Sequence, residues 1–385
     1  MSKFVTFEDR IKEIELDQHY KKPLSFGLGL RRRHKDQTLD VWFPTLNFKE
    51  NNGTAAILSK EYGQPLNYQN GFSVVPQGSL ETLWNLYQEF HHETQLHPNL
   101  SLIHHFKNLS LESNGYHDFD IIVYFMYDAI QDIQSTEEAF FKLQLLSQRK
   151  VKPHQLCLDG IFSQLQNLVW TSMGPIKPED LSHQKLRHMH SPFQISHVDK
   201  FPHLLDYHVP SGVRIASGAQ VRLGAYLGEG TTIMPSGFVN FNAGTKGNAM
   251  IEGRVSAGVF IGKNTDIGGG ASIMGTLSGG NHTVISIGEQ CLLGANSGTG
   301  ISLGFGCTIA AGLYIYAGVK ISLYNQNNDP VNIDGTVVKE GENVVKAKAL
   351  SGKDHLLFIQ ESLTGKVICK PNPKTITLNP DLHRN

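Results

Sequence analysis

Three features of the chain predict a mainly β fold, with an α/β part at the N-terminus and a β-solenoid of hexapeptide repeats at its centre. Between residues 213 and 323 an aliphatic residue returns every six positions, glycines recur near the points where such a chain must turn, and charged side chains are sparse. Six is neither the helical period nor the two-residue alternation of an ordinary strand. It fits a coil in which each six-residue side sends one aliphatic residue inward.

The elements follow in chain order. "LSFGLGLRRRHKDQTLDVWFP" reads as strands Leu24 to Leu30 and Thr38 to Phe43 joined by a basic turn, with Arg31 to Lys35 as solvated hairpin charges rather than a phosphate site. Ser79 to His92 places Leu80, Leu83, Leu86, Tyr87 and Phe90 on one helical face. "DFDIIVYFMYD", 118–128, is a short apolar strand, and Ser135 with Glu138 forms a capping box ahead of a helix carrying Phe140, Leu143 and Leu146. From 150 to 212 proline and histidine accumulate. His188 and His190 have no cysteine or spaced acid beside them, so this stretch reads as a polar connection rather than a metal site. The expected divisions are an N-terminal α/β domain at 1–135, a helix and connecting segment at 136–212, the solenoid at 213–323, and a C-terminal hairpin and strand extension at 324–385.

In the solenoid, Ile215, Val221, Leu227, Ile233 and Val239 keep the count of six; Val255, Ile261, Ile267 and Ile273 resume it, and Leu303, Ile309, Ile315 and Ile321 close it. Three sides per coil give about six coils. The step from Val239 to Val255 breaks the count, so an excursion carrying Asn240, Asn242, Gly244 and Lys246 is expected to leave the prism there, where function concentrates on rigid scaffolds. The flat, weakly charged outer faces suit packing against copies of the chain, and closed threefold symmetry predicts a homotrimer.

Composition narrows the function classes. With 34 basic against 35 acidic side chains there is no global field to gather nucleic acid or anionic lipid, and no apolar run is long enough to span a membrane. The expectation is a cytoplasmic protein acting on small molecules. The cysteines Cys157, Cys291, Cys307 and Cys369 form no C-x-x-C pair, against a disulfide framework or a zinc knuckle. His282 is the single histidine between 213 and 323, which nearly excludes a three-histidine zinc hydratase and weakens an O-acetyltransferase that relies on a histidine base. A non-enzymatic solenoid scaffold is the alternative, and it should bind no acyl-CoA.

"VDKFPHLLDYHVPSGVRIASGAQVRLGAYLGEGTTIM", "GFVNFNAGT", "MIEGRVSAGVFIGKNTDIGGGASIMGTLSGG" and "CLLGANSGTGISLG" resemble the long-chain tetrahydrodipicolinate N-succinyltransferases of diaminopimelate and lysine biosynthesis. The similarity extends over most of 137–385 and is weaker in the N-terminal third, where "VWFP" is the best match. It implies a left-handed parallel β-helix, an exception to the right-handed crossover rule. It also implies a trimer with acyl-CoA in the groove between prisms, and succinyl transfer from succinyl-CoA to the amine of the opened substrate. A magnesium ion on the threefold axis occurs in some relatives, but residues 215–222 carry no acid to hold one, and the chemistry requires no cofactor beyond the co-substrate.

A thioester is already activated, so the protein must align an amine, accept its proton and stabilise an oxyanion. Glu252 is expected to orient or deprotonate the amine, with an interface ion pair as its alternative role. Arg222 and Arg254, with Arg214, are candidates for substrate carboxylates or for bracing a subunit contact. Gly253, Ser256, Asn240, Asn242 and Ser302 join the expected binding set, as do backbone amides at Gly279 in "SGG" and at Gly294 and Ala295 in "LGAN", where glycine permits close approach. Lys346 is expected to reach CoA phosphates. Many members resembling this chain carry a glutamate before "GFVNFNAGT", with a proposed covalent acyl-anhydride role; here the position is Ser236. Without a histidine nearby to activate it, Ser236 is expected to hydrogen-bond rather than to carry the acyl group, and transfer to be direct.

Overall fold

The computed structural model describes residues 6–92, 96–277, 283–373 and 378. The chain forms two compact units, one of Met1–Val151, Gln155–Pro202 and Asp206–His208, the other of Lys152–His154, His203–Leu205 and Val209–Asn385.

The first unit is built on a five-stranded sheet. Ser25–His34 lies at its centre, antiparallel to Gln37–Trp42 on one side and to Asp118–Met126 on the other, with Gly71–Val75 beyond. The helix Thr136–Ser147 starts where Ser135 Oγ accepts the Glu138 N–H at 3.1 Å. Its Gln144 side chain closes on Phe43 N–H and Val41 C=O of the neighbouring strand. The arginines expected as solvated hairpin charge lie instead inside the long central strand, each held by carboxylates. Arg31 meets Asp120 at 2.8 Å and Glu137 at 3.1 Å, Arg33 meets Asp120 at 2.5 Å, and Arg32 forks onto Asp40, which also accepts the buried Tyr207 hydroxyl. Burial alone would raise Asp120, yet the hydrogen bonds from Arg33 and Arg31 win and hold it below the usual carboxylate range. The stretch expected to be a polar connection carries a three-stranded sheet of Leu168–Thr171, Gly174–Ile176 and Ile195–Asp199 and a short helix, Leu181–Arg187. His188 stacks on Phe193, and neither it nor His190 belongs to a group of three close ligand atoms among the described residues.

The second unit is the left-handed parallel β-helix. Two-residue strands stack into three parallel sheets, the first through Ile215, Ile233, Ile251, Ile267, Leu293 and Ile309, the second through Val221, Val239, Val255, Ile273, Thr299 and Ile315, the third through Leu227, Thr245, Ile261, Ile287 and Leu303. That gives the six coils the repeat predicts. Nearly all of these side chains are fully buried, and each large one contributes about 1.5–3 kcal/mol against exposure. Cys291, Cys307 and Cys369 line the same shaft as free thiols; the hydrogen bond with Cys307, then burial, pushes Cys291 up, and burial pushes Cys369 up.

The break in the count is not an excursion where the sequence suggested one. Val239 to Thr245 and Thr245 to Ile251 are regular steps of six; only Ile251 to Val255 is short, at four, because the corner between them loses two residues. The rung at 245 is hidden in the sequence because threonine fills it, its hydroxyl paired with that of Thr231 at 2.6 Å inside the shaft. The residue that departs from the prism does so later. Ile273 and Ile287 are consecutive rungs fourteen positions apart, and between them Thr276 and Val284 pair as the neck of a hairpin. A second short corner, Thr299 to Leu303, hides another threonine rung, Thr299, whose hydroxyl donates to Ile301 C=O at 2.7 Å.

Beyond Leu323 the shaft is capped. Val344–Lys346 returns antiparallel to Lys320–Leu323, and Leu356–Gln360 adds to the first sheet so that Phe358 stacks on Ile309. Gly244 has φ +153°, and a β-carbon there would lie 1.8 Å from Tyr226 C=O oxygen; Gly312, φ +73°, has nothing within 4 Å. Gly244→Ala should therefore cost about 2–4 kcal/mol in chemical denaturation, against about 1 kcal/mol for Gly312→Ala.

Candidate active site

Coil stacking lines up residues that are distant in sequence. Corners leading from the first sheet to the second place Ser236, then Glu252 and Gly253, then Gly268 to Gly270, then Gly294 and Ala295 on one edge of the prism in successive coils, tied by Met234 N–H to Ile251 C=O, Glu252 N–H to Ile267 C=O and Gly268 N–H to Leu293 C=O at 2.8 Å each. Corners leading from the second sheet to the third gather Arg222, Asn240, Asn242 and Ser256 on the next edge, and the insertion whose neck pairs Thr276 with Val284 leaves from that same column. Between the two edges runs the outer face of the second sheet, with Gln220, Phe238, Arg254, Ser272, Gly298 and Tyr314 in a row.

Glu252 and Arg254 stand out within this arrangement. Glu252 sits in the shortened corner and Arg254 opens the strand that follows, so a carboxylate and a guanidinium are separated by Gly253 alone, at a position where a side chain would strike Ala271 C=O oxygen at 2.3 Å. The half-buried Glu252 carboxylate has no hydrogen bond or ion pair among the described residues. It lies against Gly269, where a β-carbon would approach its carboxyl carbon to 3.3 Å, so the three glycines of the next coil leave it room. Arg254 donates from Nε and Nη2 to Ser272 Oγ at 3.0 and 2.7 Å, which lays the guanidinium along the face, and Nη1 has no hydrogen bond among the described residues. Ser272 was not singled out from sequence; only the eighteen-residue coil spacing could have paired it with Arg254.

Other expected residues are engaged in holding the scaffold. Arg222 donates to Asn240 Oδ1 at 3.1 Å and sits 5.8 Å from the Phe238 ring centroid, and Asn240 Oδ1 also accepts Phe241 N–H. Asn242 is a corner residue at φ +52° whose Oδ1 accepts His154 N–H at 3.0 Å, while His154 Nε2 meets Gly258 C=O at 2.6 Å. Ser256 Oγ donates to Ile273 C=O at 2.6 Å, and Ser302 Oγ accepts Ser286 N–H at 3.1 Å. The Gly294 N–H is spent on Ile309 C=O at 2.9 Å, so that amide is not available to a thioester oxygen, and Ala295 is exposed beside it. Ser236 is exposed on its corner with no hydrogen bond among the described residues. Gly279 and the rest of "SGG" lie outside the described residues, as does His282. Lys346, exposed, is in cross-strand register with exposed Lys320.

For a metal, one group among the described residues offers three ligand atoms within 4.8 Å of one another, Asp132, Cys157 and Asp159. It belongs to the first unit, and the thiol already donates to Asp132 at 3.4 Å.

Comparison with known proteins decides the family. Models of the tetrahydrodipicolinate N-succinyltransferase N-terminal and middle regions match residues 5–163 and 165–203, and a hexapeptide repeat of succinyl-transferase matches 284–317. A 2,3,4,5-tetrahydropyridine-2,6-dicarboxylate N-succinyltransferase of Pseudomonas putida is 54% identical over 253 residues, 65% of this chain and 70% of that protein. The chain belongs to the tetrahydrodipicolinate N-succinyltransferase family. A protein of the same description from Vibrio cholerae is 50% identical over 254 residues, covering 66% of this chain and 71% of its own. A solved structure from Campylobacter jejuni, described as a 2,3,4,5-tetrahydropyridine-2-carboxylate N-succinyltransferase, superposes with a TM-score of 0.84 at 34% identity, over 97% of this chain and 99% of that one. The N-terminal match shows that the first unit, where the resemblance in sequence was weakest, is part of the family's architecture. Among the described residues no helix is long and apolar enough to cross a membrane.

Proposed function

We propose that this chain transfers succinyl from succinyl-CoA to the amine of tetrahydrodipicolinate in its opened form, 2-amino-6-oxopimelate, within diaminopimelate and lysine biosynthesis. The unpartnered Glu252 carboxylate beside the Ser272-braced Arg254 carries the reading at the level of residues. The amine nitrogen attacks the thioester carbonyl, a C–N bond forms as the C–S bond breaks, and the amine proton passes to Glu252 and on to the departing CoA sulfur. Arg254 Nη1 faces a carboxylate of the bound substrates. No cofactor beyond the co-substrate enters the scheme.

Two further parts belong to this reading. The weakly charged outer walls of the prism pack against those of two further copies, so the active species is a homotrimer. Lys320 and Lys346, like charges in direct cross-strand register, repel one another unless an anion sits between them, which suits a CoA phosphate.

The reaction is tested by thiol release with succinyl-CoA and acetyl-CoA, each offered against tetrahydrodipicolinate and 2-aminopimelate. Release only with succinyl-CoA is expected, and equal rates with acetyl-CoA would contradict the assignment of acyl group. Glu252→Gln should lower kcat by about 10²–10⁴-fold while the thermal shift produced by CoA stays unchanged. Lys346→Ala should raise KM for succinyl-CoA more than it lowers kcat. In protein incubated with succinyl-CoA alone, mass spectrometry should find no succinyl gain on the peptide containing Ser236; a stable gain there would replace direct transfer with a covalent route.

A further inference from the structure

We infer that Tyr314 is a specificity-determining residue of the transfer site, its hydroxyl joining Arg254 and Ser272 in a clamp for a substrate carboxylate. That role rests on the transfer function proposed above and names the residue that closes the site from its far end.

The stacked register puts the parts in one line. Along the outer face of the second sheet Arg254 pairs with Ser272, Ser272 with Gly298 and Gly298 with Tyr314, so successive positions stand about 4.8 Å apart. Gly298 leaves a gap in this row, and the Tyr314 ring fills it. A β-carbon on Gly298 would lie 2.1 Å from Cε2, 2.4 Å from Cδ2 and 2.6 Å from Cζ of Tyr314. The phenol is therefore laid down the row across Gly298, with its hydroxyl-bearing end leading toward Ser272. The ring itself keeps 39% exposure, while the glycine beneath it is buried. From the opposite end Arg254 reaches to the same place, with Nε and Nη2 on Ser272 Oγ.

The donors that remain define what fits there. Ser272 Oγ accepts two N–H groups, so its own proton is left to give. Arg254 Nη1 and the Tyr314 hydroxyl likewise have no hydrogen bond among the described residues. No acid stands in the row of Gln220, Phe238, Arg254, Ser272, Gly298 and Tyr314, where the guanidinium is the single formal charge. A cation flanked by hydroxyl donors suits a carboxylate, which brings a negative charge and two oxygens that only accept. Glu252 lies on the neighbouring corner, so the reacting amine and a carboxylate are drawn to different places on one surface. Both the succinyl tail and the acceptor carry a carboxylate, and the clamp reads that shared group.

Calorimetric titration of the full chain tests this with three ligands: succinyl-CoA, butyryl-CoA, whose acyl group has the same length with a methyl in place of the carboxylate, and 2-aminopimelate added to CoA-saturated protein. Tyr314→Phe keeps the ring over Gly298 and removes only the hydroxyl. Where the clamp holds the acyl tail, this variant should weaken succinyl-CoA about tenfold and leave butyryl-CoA unchanged; where it holds the acceptor, 2-aminopimelate should weaken about tenfold with both thioesters unchanged. Gly298→Ala, whose methyl pushes the ring off the face while the hydroxyl is retained, should give the same loss for the same ligand. Unchanged binding of all three ligands by Tyr314→Phe, an equal loss for succinyl-CoA and butyryl-CoA, or no binding of any ligand by the unsubstituted chain overturns the clamp. A chain that shows the expected calorimetric losses yet releases no thiol supports the clamp and overturns the transfer reading instead.

Discussion

Everything in the second unit depends on one constraint: each rung of the prism must hydrogen-bond to the rung in the coil above and the coil below. Those backbone bonds fix the inward residue of every rung directly over its predecessor, so the shaft stays continuous whatever happens at the corners. The corners are then free to lose residues, as between Ile251 and Val255, or to gain them, as between Ile273 and Ile287, without disturbing the register. The site is made from this freedom. The two-residue corner sets Glu252 two positions before Arg254 on a wall that otherwise offers few charges, while the glycines of the next coil leave space beside the carboxylate.

The same constraint explains how far the sequence could be read. Period six was legible wherever the rung residue is aliphatic, and it located the prism and its coil number correctly. It failed at Thr245 and Thr299, because a β-branched residue with a hydroxyl fills a rung as well as valine when that hydroxyl finds a partner inside the shaft. Missing one rung turned two regular sides and a short corner into an apparent excursion. The true insertion, between Ile273 and Ile287, is masked in the count because Ile285 falls twelve positions, two whole steps, after Ile273.

The candidate-site residues were legible in proportion to how little the scaffold needs them. Glu252 and Arg254 were chosen for their charge, and their functional atoms are either free or braced from one side. Asn240 and Asn242 were chosen because they fall in the presumed excursion, and Ser256 joined the expected binding set beside them, yet each side chain closes a bond that a corner requires. Asparagine at φ +52° serves the turn for the same reason glycine does, and sequence alone gives a corner asparagine and a binding asparagine the same appearance. In the first unit the error ran the other way. Arg31, Arg32 and Arg33 looked like surface charge because their partners Asp120, Asp40 and Glu137 come from other elements, and only the folded sheet brings them together.

The scarcity of ionisable groups on the prism is itself consistent with the chemistry proposed. A hydroxyl nucleophile must be deprotonated as it attacks, which calls for a tuned base such as an oriented imidazole. An amine attacking a thioester needs a base only to collect a proton once the C–N bond is forming, and a single carboxylate suffices. In the proposed direct transfer Ser236, exposed on its corner and with no hydrogen bond among the described residues, has no covalent part. What remains to be supplied is alignment, and a rigid three-sided scaffold supplies that well: the guanidinium of Arg254, laid flat by Ser272, is held on a stacked strand, and the carboxylate two residues earlier on the two-residue corner that leads into it. On the proposed mechanism, rate enhancement comes mainly from holding two substrates in register against the Glu252 carboxylate.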